Sequence, residues 1–408
     1  MKMPAQKIIL AVLLMLLFSH CRIESRDVTK PEQVGMSTRR LQQLDSIVKE
    51  AIAARDFPGA VLLVGRRDRI VFRKAYGESQ WVPQRRPMDV KMIFDLASLT
   101  KPIATATSIM ILAEQGRISL DEKVKDYIPE FGPHMDEKGK PGEDARIWHL
   151  LTHTSGLPSY TDAAEVEKAY GRPCPMDKLV LHIAQLPKTD PPGATFQYSC
   201  LGYITLALIL EKISGRNIAE FSEEFIFKPL EMEHTFFVPA LKFRNLFVPT
   251  QVIGSEPLSG VVHDPLARLQ GGVSGNAGLF STADDLAVFA QMMLNQGEYR
   301  GTRVLSPLSM AAMTSVWPKA LSAGRGLGWD LDSAYSSNGG DLFGSRSYGH
   351  SGYTGTSIWI DPDTRTYVIF LTNRVHPNDQ GAILSLRSRV ANVVAASIID
   401  LKESRPAR

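Results

Sequence analysis

Cysteine is scarce in this chain, which carries only Cys21, Cys174 and Cys200 among its 408 residues. Three cysteines are too few for the disulfide framework of a small secreted domain. Cys174 and Cys200 could pair in an exported protein, but the fold as a whole cannot depend on such bonds. A chain of this length can instead bury a large apolar core.

A strong excess of charge of one sign is also missing. The net charge is +3 at pH 7, and no basic stripe interleaved with aromatic residues appears, which argues against a nucleic-acid-binding protein. Hydrophobic residues make up 44% of the chain and charged residues 22%, which is typical of a soluble globular enzyme. The length favours about two to three domains.

Two frequent hydrolase signatures are absent. No serine lies in Gly-x-Ser-x-Gly, which argues against the α/β-hydrolase route to acyl transfer. His149 and His153 are four residues apart, but Leu150 stands where the zinc motif His-Glu-x-x-His requires a glutamate. We therefore predict that both histidines are hydrogen-bonded core residues, and we expect no metal site.

The apolar run near the N-terminus, Ile8–Phe18, is too short to span a bilayer. Because Lys2 and Lys7 precede it, residues 1–20 are predicted to be a signal peptide. Cys21 resembles the lipid-attachment cysteine of bacterial lipoproteins, although His20 replaces the small residue usual before it. We expect an exported, lipid-anchored protein of the cell envelope with residues 21–37 as a tether; the alternative is cleavage nearby and a free secreted protein.

The stretch Phe94–Gly116 is the main candidate for catalysis. Its second half is apolar or small on nearly every face, which predicts a helix buried all round and ended by a C′ glycine. Pro102 is tolerated only in the first turn, so the helix is predicted to begin near Ser98. Lys101 follows three residues later on the same face.

A serine one turn before a lysine can be a nucleophile, because the amine can take the hydroxyl proton if burial or a nearby positive charge lowers its pKa. The spacing by itself is weak evidence, since Ser46 and Lys49 share it. That second pair lies in Arg39–Arg55, whose apolar positions predict an ordinary amphipathic surface helix. Only Ser98 and Lys101 begin a buried helix, so we predict that this pair is the catalytic one.

Strand patterns stand at both ends of the chain. Ala60–Gly65 and Ile70–Tyr76 predict one hairpin, and Thr356–Ile360 and Tyr367–Thr372 predict another. Between residues 121 and 268, helical patterns with Pro/Gly-rich joints dominate. The simplest arrangement is one sheet that draws strands from both ends of the chain.

We therefore predict an α/β (α+β) fold, in which an antiparallel sheet is flanked by helices and an all-helical lobe is inserted. The discontinuous α/β subdomain is predicted to cover residues 38–115 and 269–403, and the helical subdomain residues 116–268. A terminal helix is predicted over Ala382–Leu401. These boundaries follow the change from strand to helix patterns along the chain.

Two later stretches extend the Ser98–Lys101 pattern. Tyr198 and Ser199 precede Cys200 on a turn before a predicted helix, and His350-Ser351-Gly352 precedes a strand. Ser-x-x-Lys, then Tyr-Ser-x, then a basic residue followed by Ser/Thr-Gly, in this order, resembles the serine β-lactamase and penicillin-binding-protein superfamily. The tyrosine in the second motif points to the branch of class C β-lactamases, DD-carboxypeptidases and related esterases. The resemblance covers about residues 35–400.

The resemblance implies a β-lactamase/transpeptidase-like fold and acyl transfer without a metal or organic cofactor. Ser98 would attack the carbonyl, Lys101 would take or relay its proton, and Tyr198 would share the general-base work and protonate the leaving group. The backbone N–H groups of Ser98 and Tyr353 would form the oxyanion hole. Water would then release the acyl group.

Two positions depart from the family pattern. Cys200 replaces an asparagine with a weaker hydrogen-bonding thiol, which counts against efficient β-lactamase action; we interpret it as a packed residue rather than a second nucleophile. His350 replaces a lysine and should be charged only part of the time, so it should hold a substrate carboxylate less firmly. Ser351 and Gly352 complete this predicted substrate-binding set.

Two further candidates have open alternatives. His263-Asp264 could contact the substrate or could fix its own loop. Arg374 follows the last predicted strand, where its guanidinium could bind a substrate carboxylate or could form a surface ion pair. Sequence patterns do not distinguish the two roles at either position.

We expect a serine hydrolase that acts on D-Ala-type cell-wall peptides ahead of small esters and β-lactams. The preference for cell-wall peptides rests on similarity to a branch linked with their processing, around His263 and His376. The alternatives are a carboxylesterase or weak β-lactamase, and a non-catalytic protein that binds peptidoglycan or a partner. The complete set of Ser98, Lys101 and Tyr198 argues against the non-catalytic alternative.

Overall fold

The computed structural model describes residues 27–333 and 335–401 of the chain. The predicted signal peptide over residues 1–20 and the predicted lipidation site at Cys21 lie outside the described residues. The described strands are β1 (Gly59–Arg66), β2 (Arg69–Gln80), β3 (Arg86–Pro87), β4 (Phe94–Asp95), β5 (Val252–Ile253), β6 (Glu256–Pro257), β7 (Phe280–Ser281), β8 (Glu298–Tyr299), β9 (Thr302–Arg303), β10 (Tyr348–Ser351), β11 (Ser357–Asp361) and β12 (Thr366–Thr372).

Among the described strands, six form one antiparallel sheet in the order β10–β11–β12–β1–β2–β3. The two predicted hairpins are confirmed as β1–β2 and β11–β12. They join where β1 pairs with β12, with Ala60 opposite Thr372 and Arg66 opposite Thr366. The start and the end of the chain therefore share one sheet, as the strand patterns predicted.

Both faces of this sheet are buried. Along β1, Val61 and Leu63 belong to one apolar cluster, whereas Leu62 and Val64 belong to another. Successive side chains of a strand point to opposite faces, so a strand buried on both faces has a continuous apolar sequence. The larger cluster continues into the helical middle of the chain, and the smaller one lies under the first and last helices.

The α-helices differ from the predictions mainly at their ends. The predicted surface helix Arg39–Arg55 is divided at Gln42, and the terminal helix stops at Ala396 because Ile398 leaves it to form a β-bridge with Met36. Within the described part of the chain, no helix combines the length and apolarity needed to cross a membrane. The α-helices are α1 (Thr38–Leu41), α2 (Gln43–Ala53), α3 (Thr107–Glu114), α4 (Val124–Tyr127), α5 (Ile147–Leu151), α6 (Ala163–Tyr170), α7 (Met176–Gln185), α8 (Cys200–Ser214), α9 (Ile218–Ser222), α10 (Pro265–Leu269), α11 (Ala283–Leu294), α12 (Pro307–Met313) and α13 (Leu384–Ala396).

In residues 116–268 the regular elements are mostly helices, and the short β5–β6 hairpin supplies the paired strands. In α8, every residue from Leu201 to Leu210 is buried, so this helix packs on all sides rather than along one stripe. Its N-terminus carries Tyr198 and Ser199 into the interior of the protein. The predicted subdomain boundaries around residues 115 and 269 stay a prediction.

Candidate active site

Ser98 lies in a short 3₁₀ turn, Ala97–Leu99, directly after β4. The buried helix predicted from this point does form, but it begins with a π-helical segment, Lys101–Ala106, before it becomes α3. Gly116 follows with φ of +66°, as predicted for a C′ glycine. The helix therefore begins near Ser98, as predicted, but its first turns are 3₁₀ and π-helical rather than α-helical. Wider π turns are frequent at functional sites, because they re-aim side chains without ending a helix.

The backbone just before Ser98 is strained, since Ala97 has φ of +46°. Buried Asp95 holds this turn: one carboxylate oxygen accepts the Ala97 N–H at 2.9 Å, and the other accepts the His263 N–H at 2.6 Å. Burial raises the pKa of the Asp95 carboxyl to about 6, despite these hydrogen bonds. Asp95 thus fixes the position of Ser98 through the backbone.

Lys101 is fully buried, and its amine has three acceptors. Nζ donates to Ser98 Oγ at 3.0 Å, to the Asn276 carbonyl at 2.9 Å and to Cys200 Sγ at 3.4 Å. These contacts match the three N–H groups of an ammonium ion. Burial lowers the pKa of Lys101, but the interactions with Cys200 and Tyr198 raise it, and the balance lies above its ordinary value. The lowered lysine pKa that the sequence suggested is therefore not observed.

Tyr198 lies on the turn before α8, and its hydroxyl has hydrogen-bonding interactions with both Ser98 and Lys101. Lys101 Nζ is 5.1 Å from the centre of the Tyr198 ring. The His153 ring packs on the other side, with its centroid 4.3 Å away. Burial raises the pKa of the Tyr198 phenol, even though Lys101 acts to lower it. The structure therefore brings the three predicted groups together, with a neutral phenol beside an ammonium.

The backbone groups predicted for the oxyanion hole are available. The Thr354 hydroxyl donates to the Asp95 carbonyl at 2.7 Å and the Thr356 hydroxyl to the Leu96 carbonyl at 3.0 Å, which fastens the loop after β10 to the turn of Ser98. Within residues 27–333 and 335–401, the N–H groups of Ser98 and Tyr353 make no hydrogen bond. Two free amides beside a nucleophile are the requirement for stabilising an oxyanion.

Cys200 and Cys174 are both free thiols, so the disulfide that two cysteines could have formed is absent. Cys200 Sγ instead accepts the third N–H of Lys101. Burial raises the pKa of the Cys200 thiol, although Lys101 acts in the opposite direction. A neutral thiol is a poor nucleophile, which agrees with the interpretation of Cys200 as a packed residue.

His350 is buried on β10 and differs from the prediction. Its Nδ1 lies 2.9 Å from the Ser351 carbonyl, and burial, together with the charges of Arg325 and Lys101, holds its pKa well below the ordinary value. The predicted partial charge near neutrality was therefore wrong, because an interior site between two cations favours the neutral ring. Ser351 and Gly352 line the same cavity as Ser98.

The Arg374 side chain already pairs with a carboxylate of the protein itself. Its Nη1 lies 2.9 Å from Asp379, its Nε donates to the Tyr353 carbonyl at 2.8 Å, and its guanidinium lies over the Tyr353 ring. Of the two alternatives, the ion pair is the one observed. Arg374 still lines the cavity, so it contributes to the wall of the site while Asp379 balances its charge.

The remaining histidines have structural contacts. His149 Nδ1 accepts the Arg146 N–H and His153 Nδ1 accepts the Ser199 N–H, which confirms the prediction of hydrogen-bonded core histidines. In the described residues, no group of three His, Cys, Asp or Glu side chains could hold a metal ion. The His263 N–H binds Asp95, as described above, and Asp264 caps α10, so this pair fixes its loop.

Sequence patterns missed several residues of the cavity, which has a volume of about 560 Å³. Tyr335 lies 5.4 Å from the Tyr198 ring, measured between ring centroids. Arg325 directly precedes the Gly-Leu-Gly-Trp sequence of residues 326–329, and no motif in the sequence includes the arginine itself. Arg387 lies on α13, where it donates to the Gly352 and Thr356 carbonyls, and nothing in the local sequence indicates that role.

A serine in contact with a buried lysine and a partly buried tyrosine, beside two unpaired amides, is the arrangement that a serine acyl hydrolase requires. The family model described as Beta-lactamase matches residues 44–392. The chain therefore belongs to the serine β-lactamase and penicillin-binding-protein superfamily, and it is a hydrolase of this family with the β-lactamase/transpeptidase-like fold.

Individual relatives support this assignment. The N-acetylmuramyl-L-alanine amidase of Bacillus subtilis (strain 168) is 34% identical over 378 residues, which cover 86% of this chain and 84% of the relative. An Escherichia coli (strain K12) protein named "Putative D-alanyl-D-alanine carboxypeptidase" is 30% identical over 378 residues, covering 85% of each. Among solved structures, EstCE1, a hydrolase with promiscuous acyltransferase activity, is similar in fold, with a TM-score of 0.70, 22% identity and coverage of 88% of this chain and 99% of EstCE1.

Proposed function

We propose that this hydrolase cleaves D-Ala-type cell-wall peptides, as a DD-carboxypeptidase does, through an acyl-enzyme on Ser98. The observation that carries the proposal is the 3.0 Å contact between Lys101 Nζ and Ser98 Oγ in the wall of an open cavity. The name of the Escherichia coli relative, a putative D-alanyl-D-alanine carboxypeptidase, supports the choice of substrate.

In this mechanism, Ser98 Oγ forms a bond to the substrate carbonyl carbon and gives its proton to the Lys101–Tyr198 pair. The pair then returns the proton to the leaving nitrogen as the amide bond breaks, and water repeats the sequence to release the acyl group. The free amides of Ser98 and Tyr353 stabilise the negative oxygen at each step. Such donors typically contribute about 10²- to 10³-fold each to the rate.

The pair must lose a proton before it can act as a base. At rest, Lys101 carries its proton because its contacts with Cys200 and Tyr198 outweigh its burial, and Tyr198 carries its own because burial favours the neutral phenol. The active form therefore becomes more populated as the pH rises. We expect kcat/KM to increase from neutral to alkaline pH until this deprotonation is complete.

A carboxylesterase is the second candidate, and the neutral state of His350 favours it. A charged residue at this position would favour anionic peptides, whereas a neutral ring gives no such preference. A muramyl-alanine amide is a further substrate to test, because of the name of the Bacillus subtilis relative.

One substrate panel distinguishes these activities. It compares kcat/KM for an N-acylated D-Ala-D-Ala peptide, N-acetylmuramyl-L-alanine, a chromogenic cephalosporin and a p-nitrophenyl ester. The proposal expects the highest value for the D-Ala peptide and loss of all turnover in Ser98→Ala. Ser46→Ala is the matched control, because Ser46 has the same spacing to a lysine but lies on surface helix α2. A dominant ester activity would favour the second candidate.

We also propose that the chain is exported and lipid-anchored at Cys21. The basis is the sequence pattern of two lysines, a short apolar run and a cysteine.

A further inference from the structure

One cation in the wall of the active-site cavity has incomplete hydrogen bonding. Arg325 is only 1% exposed, and its Nε and Nη2 have no hydrogen-bond partner among the described residues. Its other terminal nitrogen, Nη1, lies 3.4 Å from Asp330 Oδ1. A buried guanidinium normally uses most of its five N–H donors, because unpaired buried donors are costly.

The surroundings hold Arg325 in place. Arg325 and Asp330 form a backbone bridge with each other, and the guanidinium lies 5.8 Å from the centre of the Phe196 ring. Asp330 is fixed in turn by the Ser333 hydroxyl, which donates to it at 2.6 Å. The side chain is therefore pre-organised rather than free to search for another partner, which lowers the entropic cost of binding a ligand.

The two unpaired nitrogens, Nε and Nη2, are a pair with which an arginine can bind both oxygens of one carboxylate. Nε and Nη2 lie on one edge of the planar guanidinium, so their N–H bonds run side by side and match the two oxygens of a carboxylate. Nη1, which contacts Asp330, lies on the other side. Asp330 thus balances part of the charge but leaves the buried Nε and Nη2 without a partner.

No other cation of the cavity is equally available among the described lining residues. Arg374 binds Asp379, and Arg387 donates to the Gly352 and Thr356 carbonyls. His350 is neutral, and its Nδ1 must carry the proton to donate to the Ser351 carbonyl, so its Nε2 can only accept. His350 therefore cannot receive an anion in this chain.

We propose that Arg325 binds a carboxylate of the substrate and makes this site selective for N-acylated amino acids or peptides with a free carboxylate near the scissile bond. This proposal rests on the proposed acyl transfer at Ser98. It assigns anion recognition to a residue outside the Ser-x-x-Lys, Tyr-Ser-x and His-Ser-Gly motifs. A D-Ala-D-Ala peptide has such a group, whereas a simple ester or a peptide amide does not.

The test compares an N-acylated D-Ala-D-Ala peptide that has a free C-terminal carboxylate with the same peptide as its C-terminal carboxamide. We expect the wild-type protein to prefer the carboxylate by roughly 10- to 100-fold in kcat/KM, the range expected for a hydrogen bond to a charged group. In Arg325→Gln this preference should vanish, mainly through a higher KM for the carboxylate, while turnover of the carboxamide changes little. Arg325→Lys should recover part of the preference, because it keeps the charge but loses the fork.

Two variants separate recognition from structure. Arg365→Gln removes an exposed arginine that pairs with Asp68 at the surface, and it should keep the full preference. Arg325→Met combined with Asp330→Asn removes both members of the buried pair, so no carboxylate is left uncompensated. If this double variant is folded and retains the preference for the carboxylate, the proposal is wrong. An equal loss for both peptides in Arg325→Gln would likewise assign Arg325 a structural role.

A binding measurement keeps this test independent of turnover. In a Ser98→Ala background, calorimetry should detect tighter binding of the carboxylate peptide than of the carboxamide, and Arg325→Gln should remove the difference. Equal binding of the two peptides would overturn the carboxylate subsite even if Ser98 proves to be the nucleophile. Tighter binding of the carboxylate without any peptide turnover would support the subsite and contradict the proposed D-Ala peptidase activity.

Discussion

Asp95 should make the stability of this protein depend on pH in an unusual direction. Its carboxyl is buried beneath the turn that carries Ser98, and its pKa rises from 3.8 to about 6. The folded state therefore holds a proton that the unfolded chain has already lost between these two pH values. Stability is highest below the unfolded pKa and falls as the pH rises through 6, and the difference amounts to about 3 kcal/mol.

Asp95→Asn removes this titration. The amide can accept only one of the two N–H groups that the carboxylate now accepts, from Ala97 and His263, so a constant offset is expected. The pH-dependent part is separate from that offset. The free energy of unfolding of the variant, relative to that of the wild type, should rise by about 2.4 kcal/mol between pH 4 and pH 7, because only the wild type loses stability as Asp95 ionises.

Urea denaturation of both proteins at several pH values between 4 and 7 measures this difference. Glu143→Gln is the control, because it removes an exposed acid without changing the interior. Its unfolding free energy should follow that of the wild type at every pH. The reasoning would be refuted if the difference in unfolding free energy between Asp95→Asn and the wild type stayed constant with pH. Asp95 would then bind its proton equally well in the folded and the unfolded state.

Four further substitutions test the candidate active site and the predicted lipid attachment at Cys21. Gly352→Ala should lower kcat/KM for a p-nitrophenyl ester about 100-fold, because its Cβ would lie 2.3 Å from the Leu96 carbonyl oxygen and push the loop of the oxyanion hole away. Lys101→Ala should lower kcat by about 10²- to 10⁴-fold in the same assay, since it removes the group proposed to take the Ser98 proton. Cys200→Asn should raise the turnover of a chromogenic cephalosporin about fivefold, because an amide oxygen accepts from Lys101 more strongly than a thiol does. Cys21→Ser should abolish metabolic labelling with palmitate.

Two of these variants have matched controls, and each of the four has an outcome that would contradict its prediction. Gly132→Ala adds a Cβ with nothing within 4 Å and should be silent; a silent Gly352→Ala would contradict the loop's role. Lys49→Ala on the surface helix should retain full activity, and equal activity in Lys101→Ala would exclude it from proton transfer. An unchanged or lower cephalosporin rate in Cys200→Asn would show that the thiol does not limit that reaction. Palmitate that persists in Cys21→Ser would place the lipid elsewhere.

The sequence predicted the elements that depend on local patterns. The apolar runs over β1 and β12 predicted strands, and Pro102 located the start of the buried helix near Ser98. The order of the three motifs was enough to predict that Ser98, Lys101 and Tyr198 would meet. The structure confirms that they do, whereas their catalytic roles stay predictions.

Other features depend on contacts that no local pattern contains. The charge state of Lys101 is set by Cys200 and Tyr198, which lie about a hundred residues later in the chain. The neutral state of His350 results from burial between two distant cations, one of which is Arg325. Arg325 belongs to no motif. Its two unpaired nitrogens are recognised only when the hydrogen bonds around them are examined. Such groups can be recognised only from their environment in three dimensions.

The central claim is that Ser98 is a nucleophile activated by its buried neighbours, and covalent labelling tests it most directly. The purified protein would be incubated with a fluorophosphonate probe and with penicillin, followed by intact-mass and peptide mass spectrometry. The account predicts a single adduct on Ser98 that is retained in Ser46→Ala and lost in Ser98→Ala. An adduct on any other residue, or no adduct with either reagent in the folded protein, would contradict it.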